Sequence, residues 1–394
     1  MTRGMRILHV IPAVAPRYGG PSTAIVAMCD ALNSMPGITV EVAATDADGA
    51  NRYHQADWPS QKTELHLFPM DGTERTKRSL ALRTWLDLNA SRYDVIHTHS
   101  SWNFPIYAAS RAARKHHKPL VYRPCGMLSD YTWSRNRAAR FAYWLARERT
   151  NVAAATAFHC TSEAEADEVR RHRAARGEVY VVPNAIDAAT WQVPVRKDVL
   201  RERCGPAAAG KPIVLFLSRL HPKKGLTDLL LPALAKMTVP VFLAIVGGPD
   251  DHAQGYEHCV REAIERLGQA GHVALLGPIS SEERWAMFDD ADLFVLPSHS
   301  ENFGIVVAEA MARGCPVVIT EGVQVRDQVL AAKAGEVVPF DVGEWAATLD
   351  SWLADSPRRC RAGTAGRLYA QEHFNWHRTA ERLAEVYRRV SNVL

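Results

Sequence analysis

Short apolar runs alternate with helix-period stretches along the first half of the chain. RILHVI, TVEVAA, ELHLF, DVIHTH, PLVYRP, AFHCTS and VYVVPN predict buried strands, and PSTAIVAMCDALNS and NFPIYAASRAARKH predict helices between some of them. The pattern breaks over residues 184–211, where AIDAATWQVPV, a charged stretch and GPAAAGKP carry turn and linker chemistry. It restarts with PIVLFLSRL, VFLAIVGG, HVALLGP, DLFVLPS and PVVIT, again separated by helices. Strands buried on both faces and alternating with helices imply parallel sheets built of βαβ units, so the expected fold class is α/β with two Rossmann-like, doubly wound parallel-sheet domains. The closing FNWHRTAERLAEVYRRVSNVL is an amphipathic helix with no strand after it, expected to pack back across a domain.

Length agrees, since 394 residues exceed one ordinary core and fit two. With 47% hydrophobic and 23% charged residues the composition is that of a soluble globular protein. Seven cysteines without a CxxC pair argue against a disulfide framework or zinc ribbon and for a reducing compartment. The start imitates a signal peptide, but its apolar run is short and interrupted by His9 and Pro12, so a first buried strand from Arg6 to Ile11 is expected. No run of about 18 apolar residues predicts a membrane span. The net charge of +4 is uneven: residues 1–183 hold 24 Lys+Arg against 17 Asp+Glu, net +7, and the remainder 23 against 26, net −3. A basic first half suits anionic head groups or an acidic acceptor, and equally a solvated surface.

Ligands of such sheets sit outside the carboxyl ends of the strands, and three loops there carry chemistry. In SHSENFGIVVAEAMARGCPVV, Glu301 lies in a loop and Gly304 opens a helix that carries Glu309. Free amides at a helix start suit a phosphate, and the eight-residue spacing, roughly 12 Å if helical, suits carboxylates at the two ends of an extended sugar–diphosphate–ribose. An ordinary acidic helix start with one solvated glutamate reads equally well. In FLSRLHPKKG, Arg219 and Lys224 suit a diphosphate leaving group, or form a basic loop that merely precedes a helix. In AVAPRYGGPSTA, Gly19 and Gly20 permit close approach to an anion, though a plain turn explains them as well.

Taken together these motifs resemble the retaining family-4 glycosyltransferases of GT-B fold. VVPNAID, IVGGPDD and the closing FNW…VY helix extend the match nearly end to end. The resemblance implies two domains facing each other across a cleft. Residues 1–186 would bind the acceptor, joined by the helix at about 377–394, and residues 187–376 would bind the nucleotide-sugar. It implies Glu301, Arg219 and Lys224 as catalytic, with Glu301 on the transferred sugar and the two cations on the diphosphate. Donor contacts would come from Gly20, Gly247, Gly277, Ile279, Asn302, Phe303, Gly304, Ile305 and Glu309, the last on the ribose. Asn184 and Asp187 would mark the interdomain crossing. No metal and no cofactor is implied, since basic side chains and amides neutralise the diphosphate. One position departs from the family: Cys125 stands where many relatives carry a histidine, and a thiol is the poorer hydrogen-bond partner. Arg123 and His99 are the candidates to compensate on the acceptor side.

The resulting expectation is transfer of a hexosyl-type sugar from a nucleotide-diphosphate sugar to a sugar or lipid-linked hydroxyl acceptor. By analogy it would serve polysaccharide or glycolipid assembly in the cytoplasm, at the inner face of the membrane. The alternatives are a sugar-nucleotide epimerase or phosphorylase of similar build, or a two-lobed sugar-binding module without catalysis. An NAD oxidoreductase is disfavoured because no GxGxxG follows the first strand. The Arg- and aromatic-rich stretch 134–151 reads either as a peripheral membrane contact or as a helix packed into its own domain. GPAAAGKP is not a P-loop, because Pro212 replaces the Ser/Thr and a strand follows it. His97 and His99, alternating on one strand, and the acidic Asp289–Asp292 stretch are set aside as metal sites. No nucleic-acid-binding module is present.

Overall fold

The computed structural model describes residues 4–134, 136–186, 189–250, 253–280 and 283–392. The chain divides into two compact units: Met1–Ala185 with Trp376–Leu394, and Ile186–Asn375.

The first unit is built on a seven-stranded sheet of β1 (Met5–Ala13), β2 (Ile38–Thr45), β3 (Glu64–Phe68), β4 (Val95–His99), β5 (Leu120–Arg123), β6 (Ala157–Cys160) and β7 (Glu178–Val181). Their order is β3-β2-β1-β4-β5-β6-β7 and every pairing is parallel. The strand order reverses beside β1, so the loops after β1 and β4 lead away on opposite sides and leave room for side chains at the carboxyl edge. Helices Gly20–Asn33 and Phe104–Lys115 bury apolar faces against the sheet. The final helix, Trp376–Ser391, joins the core of this unit through Leu383, Ala384, Val386, Tyr387 and Val390, which pack with Ile25, Met28 and Val40. Its apolar side chains recur at helical spacing and its arginines line the other face, which is why it lies on a sheet domain.

The second unit repeats the topology with β8 (Ile213–Leu217), β9 (Phe242–Val246), β10 (Val273–Gly277), β11 (Leu293–Leu296), β12 (Val317–Thr320) and β13 (Gly335–Val338), ordered β10-β9-β8-β11-β12-β13 and all parallel. Two elements go beyond the sequence reading: the edge strand β13, and a short antiparallel hairpin, Ala47–Asp48 with Asn51–Arg52. Both are too short to show periodicity.

In the second unit Arg313, only 9% exposed, grips Asp289 through two hydrogen bonds of 2.7 and 2.5 Å and donates to the carbonyls of Thr190 and Val193. Asp289 therefore belongs to a structural ion pair. The stretch 134–151 is divided between its two sequence readings. Glu148, Asn151 and Val152 are buried, whereas Phe141 and Leu145 are 58% and 54% exposed.

Candidate active site

At the carboxyl edge of the second sheet, three loops are tied by backbone bonds before any side chain is considered. The turn Pro222–Lys224 follows β8 and ends at Gly225, whose φ of +70° and position, where a Cβ would lie 2.0 Å from the Pro297 carbonyl oxygen, leave no room for a side chain. The His299 amide donates to the Lys223 carbonyl at 2.9 Å, stitching this turn to the loop after β11. Glu301 is held in turn by the loop after β12, its amide donating to the Gly322 carbonyl and its carbonyl accepting from the Gln324 amide.

This frame brings Lys224 against Glu301 in a direct ion pair, with both side chains largely shielded from solvent. Burial alone pushes the Glu301 carboxyl upward, but Lys224, Lys223 and Arg219 together outweigh it and hold its pKa below the ordinary glutamate value. Glu301 is thus an anion embedded among cations. Arg219 stands nearby, half exposed and paired to the buried Asp250 at 2.8 Å. Leu220 donates to the Gly248 carbonyl, and Gly247, with φ of +143° and 1.9 Å from the Ser218 carbonyl to any Cβ, lets the β9 loop close on the β8 loop. The Gly247 amide donates to Gly277, so it shapes the edge by packing. Gly277, at φ of +69°, and the partly buried Ile279 continue the same rim after β10.

Gly304 adopts a left-handed conformation (φ 75°, ψ 58°) and opens the helix Ile305–Ala312. A Cβ there would come within 3.0 Å of Val323 Cγ1 and 3.5 Å of Glu301 Cγ. Asn302 carries a buried Oδ1 without a hydrogen-bond partner among the described residues, and Phe303 is buried against Phe374. Glu309 lies on the buried side of that helix, 4% exposed, where Arg284 reaches it at 3.2 Å. The sequence placed Glu309 at a binding edge without showing this cation, which comes from another helix. Asp250, the partner of Arg219, was equally invisible. Asp187 and Asp251 lie outside the described residues.

In the first unit Gly20 begins its helix at an exposed position where a Cβ would meet nothing within 4 Å. His99 and Arg123 end β4 and β5 and are only 1% and 2% exposed. Arg123 donates to Asn184 Oδ1 at 2.6 Å and to His99 Nδ1 at 3.5 Å. Cys125 follows with φ of +53°, and burial pushes its thiol pKa up. Ser100 (φ 90°) and Trp102 (φ 64°) share this rare backbone region, so strain collects at the carboxyl edge of β4 and β5, as it does at working sites. Beside it lies a cavity of about 470 Å³, lined among others by Arg78, Trp102, Asn103, Phe104, Tyr143 and Arg147. Aromatic faces with guanidinium and amide groups suit a polar, ring-shaped ligand.

Behind that edge lies a group that sequence reading only touched. His9 from β1, His97 and His99 from β4, and His159 from β6 are all buried around Tyr387 of the final helix. Nitrogens of His9, His97 and His99 lie within 4.8 Å of one another, close enough to suggest metal ligation. Each of them is already engaged in a hydrogen bond.

Comparison with known proteins adds three findings. The model of glycosyl transferases group 1 matches residues 203–369, and that of the glycosyl transferase 4-like domain matches residues 19–185. A D-inositol 3-phosphate glycosyltransferase of Xylanimonas cellulosilytica is 33% identical over 313 residues, covering 75% of this chain and 72% of that protein. A GDP-mannose-dependent alpha-(1-6)-phosphatidylinositol monomannoside mannosyltransferase of Mycolicibacterium smegmatis is 36% identical over 197 residues, 48% of this chain and 50% of its own. Among solved structures, Anabaena Alr3699/HepE in complex with UDP and glucose superimposes with a TM-score of 0.75 at 21% identity, covering 97% of this chain and 99% of that one. That likeness carries the GT-B fold.

Proposed function

This chain belongs to the group 1 glycosyl transferases, and from that premise we propose that it moves a hexosyl unit from a nucleotide-diphosphate sugar to a hydroxyl acceptor with retention of configuration. The observation that carries the reading is the juxtaposition of Lys224, Glu301 and Arg219 at one sheet edge. Lys224 and the half-exposed Arg219 each hold a carboxylate, and a diphosphate is a ligand for which both cations could exchange those partners. As the bond from the sugar to the diphosphate stretches, negative charge grows on the leaving oxygen. Arg219 and Lys224 stabilise that charge in place of a metal. Glu301 faces the transferred sugar, where a carboxylate kept ionised by its neighbours supports an oxocarbenium-like centre. The acceptor hydroxyl attacks from the face the phosphate leaves, and the phosphate takes its proton. The amides from Asn302 to Ile305 complete the diphosphate cradle, and Glu309 serves the ribose.

The acceptor enters from the first unit, near Arg123, Cys125 and the aromatic cavity. UDP and glucose on HepE and GDP-mannose for the mannosyltransferase support a nucleotide-sugar donor. The phosphatidylinositol mannoside named for the latter supports a glycolipid acceptor and work at the inner face of the membrane. Exposed Phe141 and Leu145, spaced one helical turn apart and flanked by Arg137 and Arg149, support a peripheral contact with anionic lipid. Seven unpaired thiols support a reducing compartment. The test is a thermal-shift panel of UDP-, GDP- and ADP-sugars, followed by product analysis of any hit with and without candidate acceptors. Stabilisation by one nucleotide-sugar and an α-linked product from an α-linked donor are expected. An altered free sugar released without acceptor would instead mark an epimerase, and no shift with any donor would end the proposal.

A further inference from the structure

We propose that His99, His9, Tyr387, His97 and His159 form one directional hydrogen-bond chain, every imidazole neutral and protonated on Nε2, which runs from Arg123 to the Val182 carbonyl and makes Tyr387 a positioning residue for Arg123. The links in order are Arg123 Nη1 to His99 Nδ1 (3.5 Å), His99 Nε2 to His9 Nδ1 (3.0 Å), His9 Nε2 to Tyr387 Oη (3.1 Å), Tyr387 Oη to His97 Nδ1 (2.8 Å), His97 Nε2 to His159 Nδ1 (3.3 Å) and His159 Nε2 to the Val182 oxygen (2.9 Å).

The direction follows from counting hydrogens. A guanidinium only donates and a backbone carbonyl only accepts, so both ends are fixed. Beginning at Val182, His159 must carry its proton on Nε2, leaving Nδ1 to accept from His97 Nε2. His97 Nδ1 must then accept from the Tyr387 hydroxyl, whose oxygen accepts from His9 Nε2. Beginning at Arg123, His99 Nδ1 accepts, His99 Nε2 donates to His9 Nδ1, and His9 Nε2 donates to Tyr387. The two walks meet at the tyrosine and agree. Six contacts are served by six hydrogens, one from Arg123, four from neutral imidazoles and one from the phenol. A single misplaced ring would have spoiled that parity.

A seventh proton has no place. An imidazolium donates from both nitrogens, so protonating any ring sets donor against donor at one link. The groups facing the chain reinforce this. Arg123 presses from β5, its Nε without a partner among the described residues. Cys29 lies near Tyr387 from the Gly20–Asn33 helix, and Glu165, the carboxylate that feels the Arg123 charge, accepts from the Thr161 and Gly126 amides. Burial foremost, and then the Arg123 charge and the neighbouring rings, hold all four histidines far below their ordinary titration range. A divalent cation at His9, His97 and His99 would have to break these links beside a guanidinium.

The functional consequence is reach. Tyr387 sits on the last helix, three links from Arg123, and its hydroxyl holds His9 and His97 in line, so that it supports the placement of His99 against Arg123 at the carboxyl edge. The positioning role rests on the glycosyl-transfer reading, while the chain itself does not. The experiment separates the two. Histidine-selective ¹⁵N NMR of the whole protein at pH 7.5 is expected to show four buried Nε2–H tautomers. One buried Nδ1–H ring or one buried imidazolium would overturn the chain, whether or not any donor has been found. Tyr387→Phe keeps the ring and removes the link. With a donor and acceptor in hand, it should raise the acceptor KM several-fold, leave the donor KM unchanged and move the acid limb of the pH profile. A variant with unaltered acceptor KM and pH profile would overturn the positioning role. If Tyr387→Phe fails to fold, Arg123→Lys, which keeps the donor at the head of the chain but loses the planar fork, must reproduce the acceptor KM effect or the role falls.

Discussion

Lowering the pH from 7.5 to 5.5 should cost the first unit a large share of its folding free energy. His9, His97, His99 and His159 have ordinary values near 6.5 once unfolded, whereas His9 is lowered to about 3 in the fold and the other three are also held well below. Above pH 6.5 neither state carries the protons and the four rings cost nothing. As pH falls from 6.5 toward the folded values, the unfolded chain binds protons that the folded one refuses, so stability is lost in that window. Each ring contributes about 1.4 kcal/mol of loss at pH 5.5, giving roughly 5–6 kcal/mol for four, against a typical total of about 5–15 kcal/mol. Buried Glu148 and Glu165 oppose this: their raised values mean stability complete below about 4.5 and lost as pH rises through their folded values. Urea unfolding followed by near-UV circular dichroism at pH 7.5, 6.5 and 5.5 reads the effect, with direct proton-uptake measurement on unfolding at pH 5.5 as the stricter check. Net uptake of roughly two to four protons is expected, the rings taking up protons and Glu148 and Glu165 releasing theirs. A midpoint constant to within error across that range, or uptake below one proton, would show that these rings are not held neutral.

Further predictions concern the second unit. Arg219→Ala and Lys224→Ala should each lower turnover by on the order of a hundredfold, as loss of a donor to a developing oxyanion does; steady-state assays with the donor found by thermal shift decide this. Gly225→Ala should destabilise by about 1–3 kcal/mol from backbone conformation alone. More follows because its Cβ would lie 2.0 Å from the Pro297 oxygen, which urea titration would register. Arg313→Ala strands the buried Asp289 carboxylate, and about 3–5 kcal/mol should be lost in the same titration.

Much of this fold could be read from residues because parallel strands are buried on both faces and so appear as unbroken apolar runs. β13 escaped because Gly335 and Glu336 interrupt a four-residue strand at the sheet edge, where burial is one-sided. At the site, Lys224 and Glu301 were legible since each follows a strand, and parallel sheets bring all such loops to one edge. Their partners were not. Asp250 and Arg284 are ordinary charged residues until three-dimensional neighbours are known, and Asn302 gives no sign in sequence that its oxygen will be buried without a partner. The histidines show the boundary most clearly. Alternation placed His97 and His99 on one face of β4, but His9 on β1 and Tyr387 on the final helix become their neighbours only through strand order and helix docking.

The two units hold their cations in opposite ways, and the difference bears on what each can bind. In the second, three cations near the site each have a carboxylate: Arg219 with Asp250, Lys224 with Glu301, Arg284 with Glu309. A diphosphate arriving there must compete with these anions, so its binding is an exchange of partners, and its affinity should fall less steeply with salt than a bare cationic pocket would show. In the first, Arg123 is buried with no carboxylate within 4.0 Å among the described residues. Its charge is met by Asn184 Oδ1, by the unprotonated nitrogen of His99 and behind that by a row of aligned N–H dipoles, each with its negative end toward the guanidinium. Such a row acts on the cation as a helix carboxyl end does, offering partial negative charge without a countercharge to displace. A group arranged in that manner keeps its full positive field for whatever acceptor oxygen approaches the carboxyl edge. Replacing His99 by glutamate would supply the missing anion, at a cost in stability because His9 Nδ1 loses its donor. It should abolish the acceptor-side contribution of Arg123 while leaving donor binding intact.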